Sequence, residues 1–198
     1  MPSYTAFHGK KRLAGGPATE VALATKALLA EHPGADVLIF DDETGRQTDF
    51  NLSGSDAEVT ARLSTGASQN APGKRPPGRP KLGVVAREVT LLPRQWDWLN
   101  EQSGGASATL RKLVDAARTT DAPRERLRKA QAATDRFMMA MLGDQPGYEE
   151  AARALYAGDA TGFQNRIGGW PADLKAHVER LAATAFEEAP ADQTSRAR

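Results

Sequence analysis

The sequence predicts an α+β protein in which several segments follow one another along the chain. Hydrophobic residues make up 40% and charged residues 26% of the 198 residues, a composition typical of globular domains. Short runs of β-forming residues bounded by turn residues occur early in the chain, whereas apolar residues at helical spacing dominate its second half. The predicted segments are a small α+β unit (1–63), a disordered basic linker (64–83), a strand-helix-helix segment (84–120), a C-terminal helical bundle (121–187) and a disordered tail (188–198).

The first segment has the sequence pattern of strands alternating with helices. The hairpin predicted near its centre carries Asp41, Asp42 and Glu43, which we interpret as a solvated acidic tip. The predicted elements are strands around the His8-Gly9 turn (4–13), a helix that opens near Pro17 and ends near residues 32–34, a strand (37–40), its return strand (48–52), and a helix capped at Ser55 that runs through Leu63.

Residues 64–83 have the composition of a linker. Proline, glycine and small polar residues dominate this stretch, and too few apolar side chains are present to form a core.

Residues 84–120 predict a strand followed by two helices. Val84 to Leu92 is the strand candidate, and Pro93 then opens a helix over 94–102. The Gly104-Gly105 pair breaks this helix, and Ser107 is predicted to cap the next one. Pro123 is predicted to open a third helix.

Charge is distributed unevenly along the chain, although the formal net charge is only +1. Residues 1–73 carry 6 basic and 9 acidic side chains, residues 74–129 carry 13 and 6, and residues 130–198 carry 7 and 10. The middle third is therefore basic between two acidic flanks. Local charge determines local potential, so this third is the candidate for binding a polyanion. A solvated helix face next to a linker is the alternative.

Residues 74–81, Lys-Arg-Pro-Pro-Gly-Arg-Pro-Lys, resemble an AT-hook, the short basic peptide that binds the minor groove of A·T-rich DNA. A narrow minor groove attracts arginine, glycine allows close approach of the backbone, and proline keeps the peptide extended. Gly78, Arg79, Pro80 and Lys81 match the motif. Pro77 occupies the position of the first core arginine, so half of the inserting pair is missing. A basic proline-rich spacer is the alternative interpretation.

Residues 84–118 resemble a ribbon-helix-helix module, in which two chains pair their strands into a ribbon that enters the major groove. The resemblance implies a phosphate anchor at the start of the second helix, formed by Ser107 and the amides of Ala108 and Thr109. The strand has no clean reading face, because Arg87 alternates with apolar residues and Thr90 shares its face with Glu88. The register of residues 87–92 stays open, and so does a dimerisation core without base readout.

The sequence therefore predicts a cytoplasmic, nucleoid-located DNA-binding homodimer, either a transcriptional regulator or a nucleoid-associated factor. It would pair through residues 84–118 and prefer A·T-rich duplex, and its N-terminal unit would bind a protein partner. The alternative is an antitoxin-like or adaptor dimer that binds a protein. The predicted DNA-binding residues are Lys74, Arg75, Gly78, Arg79, Pro80, Lys81, Arg87, Thr90, Arg94, Ser107, Thr109 and Arg111.

Other sequence features support neither an enzyme nor a cofactor. The chain has no cysteine, no phosphate-binding loop and no apolar run of the ~20 residues that a membrane span needs. His8, His32 and His177 are too far apart in the sequence to indicate a metal site. We therefore predict no catalytic, metal or cofactor site and no membrane association. An enzyme centred on Asp41, Asp42 and Arg46 is the remaining alternative.

Several motifs together resemble an uncharacterised bacterial family, domain of unknown function 2239. The resemblance spans about residues 4–183 and implies a bacterial, cytoplasmic protein with no assigned activity. The residues that resemble the family lie at 38–42, 44–46, 78–93, 96–99, 104–107, 154–159 and 170–173.

Overall fold

The computed structural model describes residues 3–68, 85 and 87–187, and this part of the chain forms four strands and seven helices. The α+β class predicted from the sequence is confirmed. The elements are β1 (Tyr4–His8), β2 (Lys11–Gly16), α1 (Ala18–Glu31), β3 (Val37–Asp41), β4 (Gln47–Thr48), α2 (Asp56–Ser68), α3 (Pro93–Glu101), α4 (Gly105–Leu142), α5 (Tyr148–Ala157), α6 (Ala160–Ile167) and α7 (Ala172–Glu187).

The four strands form one antiparallel sheet in the order β2-β1-β3-β4. Thr5 pairs with Phe40, and Ala6 pairs with Ile39. Because side chains alternate across a strand, Thr5, Phe7 and Phe40 share one face of the sheet, whereas Ala6 and Ile39 share the other. The return strand predicted at residues 48–52 is shorter than expected and ends at Thr48.

The chain divides into two compact units. One contains residues 1–69 together with 123–198, and the other contains residues 70–122. In the first unit, Val21 of α1 packs with Ala6 and Ile39 on one face of the sheet. Phe7 and Phe40 on the opposite face pack with Phe137 of α4 and with the helices that follow it. The N-terminal segment and the C-terminal helices thus share one hydrophobic core.

Helix α2 begins at the predicted place and ends later than predicted. The Ser55 backbone N–H donates to Glu58 Oε2 at 2.7 Å, and the Glu58 N–H donates to Ser55 Oγ at 3.3 Å. These reciprocal bonds form the capping box expected from the sequence. The helix continues to Ser68, so the start of the predicted linker at residue 64 is wrong for its first five residues. The rest of that linker, residues 69–83, lies outside the described residues.

Helix α4 corrects two predictions about the middle of the chain. It begins at Gly105, so Ser107 lies within its first turn and is not the cap. It also continues through Pro123, which is therefore not the start of a separate helix. A proline inside a helix removes one backbone hydrogen bond and strains one turn, a penalty of about 3 kcal/mol. The remaining turns of a helix of 38 residues keep it continuous.

The strand predicted at residues 84–92 is absent from the residues the structure describes there, which are 85 and 87–92. A β-strand needs a neighbour that accepts and donates backbone hydrogen bonds. Among the residues that the structure describes, none pairs with residues 87–92. The strand prediction is wrong for the isolated chain, and a ribbon formed between two chains stays a prediction.

Candidate nucleic-acid interface

The unit that contains residues 70–122 is built around α3 and the first half of α4. Pro93 occupies the first turn of α3, where a missing N–H does not matter, and the Leu92 N–H donates to Gln95 Oε1 at 2.9 Å. After α3 the chain reverses at Gly104 and Gly105, which have φ values of +99° and +74°. Side chains are strained at these angles, so two glycines are required for the turn.

The described part of this unit exposes most of its large apolar side chains. Leu99 is its one buried residue. The unit therefore has an uncovered apolar surface, and exposed apolar surfaces often mark sites where a partner binds. The residues that form this surface, with their exposed fractions, are Val85 (71%), Val89 (56%), Leu92 (51%), Trp96 (38%), Trp98 (48%), Leu113 (47%) and Val114 (54%).

The predicted DNA-binding residues fall into two groups. Arg87, Thr90, Arg94, Ser107 and Arg111 are exposed, and Thr109 is half-buried. Within the described residues, no hydrogen bond or ion pair joins these six to one another, so the structure does not bring them together into one bonded cluster. The other six belong to the AT-hook-like segment and lie outside the described residues: Lys74, Arg75, Gly78, Arg79, Pro80 and Lys81.

The start of α4 bears on the predicted phosphate anchor. The amide of Gly105 already donates to the carbonyl of Gln102 at 3.0 Å. Because α4 begins at Gly105, the amides of Ala106 and Ser107 lie in its first turn, where N–H groups have no partner within the helix. The amides of Ala108 and Thr109 lie further along the helix, and the phosphate anchor predicted at these residues and Ser107 stays a prediction.

The first unit contains a buried polar cluster, formed by Thr5, Asp42, His177 and Arg180. Asp42 follows Phe40 by two positions, so it lies on the same sheet face as Thr5. The Arg180 guanidinium donates to Asp42 Oδ2 and to Thr5 Oγ1, both at 3.0 Å. The Thr5 hydroxyl donates to Asp42 Oδ1 at 2.9 Å. The Asp42 side chain is only 8% exposed, so its interpretation as part of a solvated tip is wrong.

The cluster perturbs both titratable groups within it. Burial raises the pKa of the Asp42 carboxyl. Hydrogen bonds from Arg180, Ser3 and Thr5, together with the charge of Arg180, lower it by more. The pKa of Asp42 therefore lies below its ordinary value. Burial and then the charge of Arg180 lower the pKa of His177 to about 4. Arg180 Nη2 lies 2.7 Å from His177 Nδ1, which therefore accepts a hydrogen bond. The neutral ring carries its proton on Nε2, which is buried without a hydrogen-bond partner and lies 3.7 Å from Asp42 Oδ1.

The geometry of the polar cluster indicates a structural role. A general base needs an accessible nitrogen within hydrogen-bond reach of its substrate. In His177 one nitrogen faces Arg180, the other is buried, and the ring packs against Phe7 and Phe137 at centroid distances of 5.2 and 4.3 Å. The cluster therefore fixes the chain after β3 to α7.

A sequence profile of a bacterial family, described as uncharacterised proteins conserved in bacteria (DUF2239), matches residues 3–182. The chain belongs to this family. No curated protein and no solved structure is significantly similar to the DUF2239 chain. Among its described residues, no helix is long and apolar enough to cross a membrane, and no group of three or more His, Asp or Glu side chains could hold a metal ion.

Local sequence patterns in this DUF2239 protein do not indicate the roles of Thr5, His177 and Arg180. Asp42 and Arg180 are 138 positions apart, so no local pattern connects them. One signal was available, because His177 and Arg180 are spaced three residues apart on the predicted last helix and share a face with apolar residues.

Proposed function

We propose that this protein is a dimeric DNA-binding protein, acting as a transcriptional regulator or nucleoid-associated factor. Residues 84–118 of two copies would pair and enter the major groove, and residues 74–81 would follow the adjacent minor groove. The observation that carries the proposal is the uncovered apolar surface of the second unit, which lies in the same stretch of sequence as the excess positive charge.

A second copy of the chain is the occupant that best fits this surface. The unit is short, and segments of about 50 to 60 residues bury a small fraction of their surface, so they are only marginally stable alone. A two-fold dimer would cover the same apolar residues on both copies at once. It would also give the strand candidate at 87–92 a hydrogen-bonding neighbour, which the described part of one chain does not supply.

Charge then favours DNA as the ligand of the dimer. Residues 74–129 carry 13 basic and 6 acidic side chains, and pairing two copies doubles that excess. The exposed Arg87, Arg94 and Arg111 extend the positive charge of the AT-hook-like arm. Because the arm is tethered to the dimer, its high local concentration would add affinity even though its first core arginine is replaced by Pro77.

Fluorescence anisotropy of short labelled duplexes tests this function. Neutralising about 6 phosphates predicts a log–log salt slope near −5, so affinity should fall about 1000-fold between about 50 and 200 mM salt. We expect tighter binding to an A·T-rich duplex than to a G·C-rich one. Absence of binding at low salt, or a slope near zero, would contradict the proposal and favour the adaptor alternative.

Three alanine variants assign the binding to the proposed residues. Arg79→Ala should remove most of the A·T preference and reduce the magnitude of the salt slope by about 2, because the dimer loses one phosphate-proximal cation from each copy. Arg94→Ala should weaken binding to both duplexes similarly. Arg166→Ala, which removes an exposed arginine of α6 in the other unit, is the matched control and should leave both affinities unchanged.

A further inference from the structure

A trough of about 400 Å³ in the first unit has the size of a small-molecule site. One wall is the second half of α4, the other is α7, and the chain just after β3 closes one end. The trough is independent of the uncovered apolar surface, because its lining residues belong to the other unit.

The apolar part of the trough lining is formed by two alanines of α4 and one leucine of α7. Ala130 and Ala133 lie one turn apart on α4, and Leu181 faces them from α7. The turn after β3 is fixed beside them, because Arg136 Nη1 donates to the Thr44 carbonyl at 2.7 Å. These contacts hold α4 and the turn in place around the trough.

The polar part of the trough lining is mainly cationic. Arg126 and Lys129 come from α4 and Arg180 comes from α7. Two carboxylates also line the trough, but that of Asp42 is nearly buried and already bound by Arg180. Glu43 is the exposed carboxylate of the lining, so the groups that face solvent are predominantly positive.

Arg180 is prepared to bind an oxyanion. A guanidinium has five N–H donors, and three of them are directed at Asp42, Thr5 and His177. Two donors remain on a side chain that is 47% exposed and held in one orientation by its three internal bonds. A side chain ordered in advance loses little entropy when it binds a ligand.

We propose that this trough binds a small organic phosphate, with the phosphate group between Lys129 and Arg180 and the organic part on the two alanines. A phosphate monoester offers several acceptor oxygens to cations that approach from two sides, and hydrogen bonds to charged groups are the strong ones. The apolar lining favours an organic phosphate over the free inorganic ion.

Titration calorimetry on the full chain, without DNA and at low salt, tests the site. Phenyl phosphate should bind more tightly than inorganic phosphate, benzoate or phenol, because it alone supplies both the dianion and the apolar ring. Lys129→Ala should weaken phenyl phosphate binding by about tenfold or more, the effect of losing one charge-assisted hydrogen bond. Arg128→Ala, which removes a cation of the same helix that does not line the trough, should leave the affinity unchanged.

Three results would overturn this inference. The first is no binding of phenyl phosphate, and the second is binding by Lys129→Ala as tight as that of the unmodified chain. The third is equally tight binding of benzoate, which would assign a general anion site instead. Because DNA is absent from the titration, none of these results bears on the proposed DNA binding.

Discussion

Replacing Gly45 with alanine is expected to reduce the free energy of unfolding by about 3 kcal/mol, from strain at a positive φ together with overpacking. Gly45 has φ +66°, and its amide donates to the carbonyl of Asp41 at 2.8 Å. A Cβ here would overlap the backbone oxygen of Ala133 and lie 2.7 Å from its carbonyl carbon. Backbone atoms of a long helix cannot move aside as a flexible side chain can, so the turn after β3 would have to shift away from α4.

The matched control is Gly9→Ala. Gly9 also has a positive φ, +57°, but a Cβ there would meet nothing within 4 Å. The control should lose only the backbone term, about 1 kcal/mol. Urea denaturation of both variants measures the difference. Equal losses in the two variants would contradict the close packing of the turn against α4.

Acidification is expected to destabilise the protein by about 3 kcal/mol between pH 6.5 and 4 through His177 alone. Its pKa is lowered to about 4 in the folded chain, against an ordinary value of 6.5. In this window the unfolded chain binds a proton that the folded chain excludes, so stability falls as the pH falls. The stabilising contribution is therefore complete above pH 6.5 and is lost toward pH 4.

The charged groups that face His177 are Asp42, Arg180 and Arg12. His177→Gln should flatten the dependence of unfolding free energy on pH between pH 4 and 6.5, whatever its absolute stability. His32→Gln alters an exposed histidine and should keep the full dependence. The folded pKa of Asp42 is itself lowered, so its contribution is lost at still lower pH. An unchanged slope in His177→Gln would show that the ring is not excluded from protonation.

Local patterns in the sequence were sufficient to predict most of the secondary structure of the first unit. The hairpin around Gly9 and the capping box at Ser55 each depend on residues only a few positions apart. The prediction that Pro123 opens a separate helix is wrong for the same reason. It used only residues near the proline, whereas α4 continues on both sides of it.

Contacts between distant parts of the chain could not be predicted in this way. Phe7 meets Phe137, and Asp42 meets Arg180, only because the sheet and the C-terminal helices fold into one unit. The acidic tip was therefore interpreted as solvated although Asp42 is nearly buried. The ribbon at residues 87–92 presents a different difficulty, because its hydrogen bonds would come from a second chain.

A single-cysteine crosslinking scan of residues 87–92 tests the central claim most directly. The chain has no cysteine, so each variant has one thiol. In a two-fold antiparallel ribbon, the residue on the axis lies opposite the same residue of the other chain. For the residue next to it in the sequence, the Cα atoms of the two copies are already about 8 Å apart, which is beyond disulfide reach. We expect an oxidised dimer at one position, and little at Asn165→Cys, an exposed control site on α6. No dimer at any of the six positions, or similar yields at all of them and at the control, would contradict the paired ribbon.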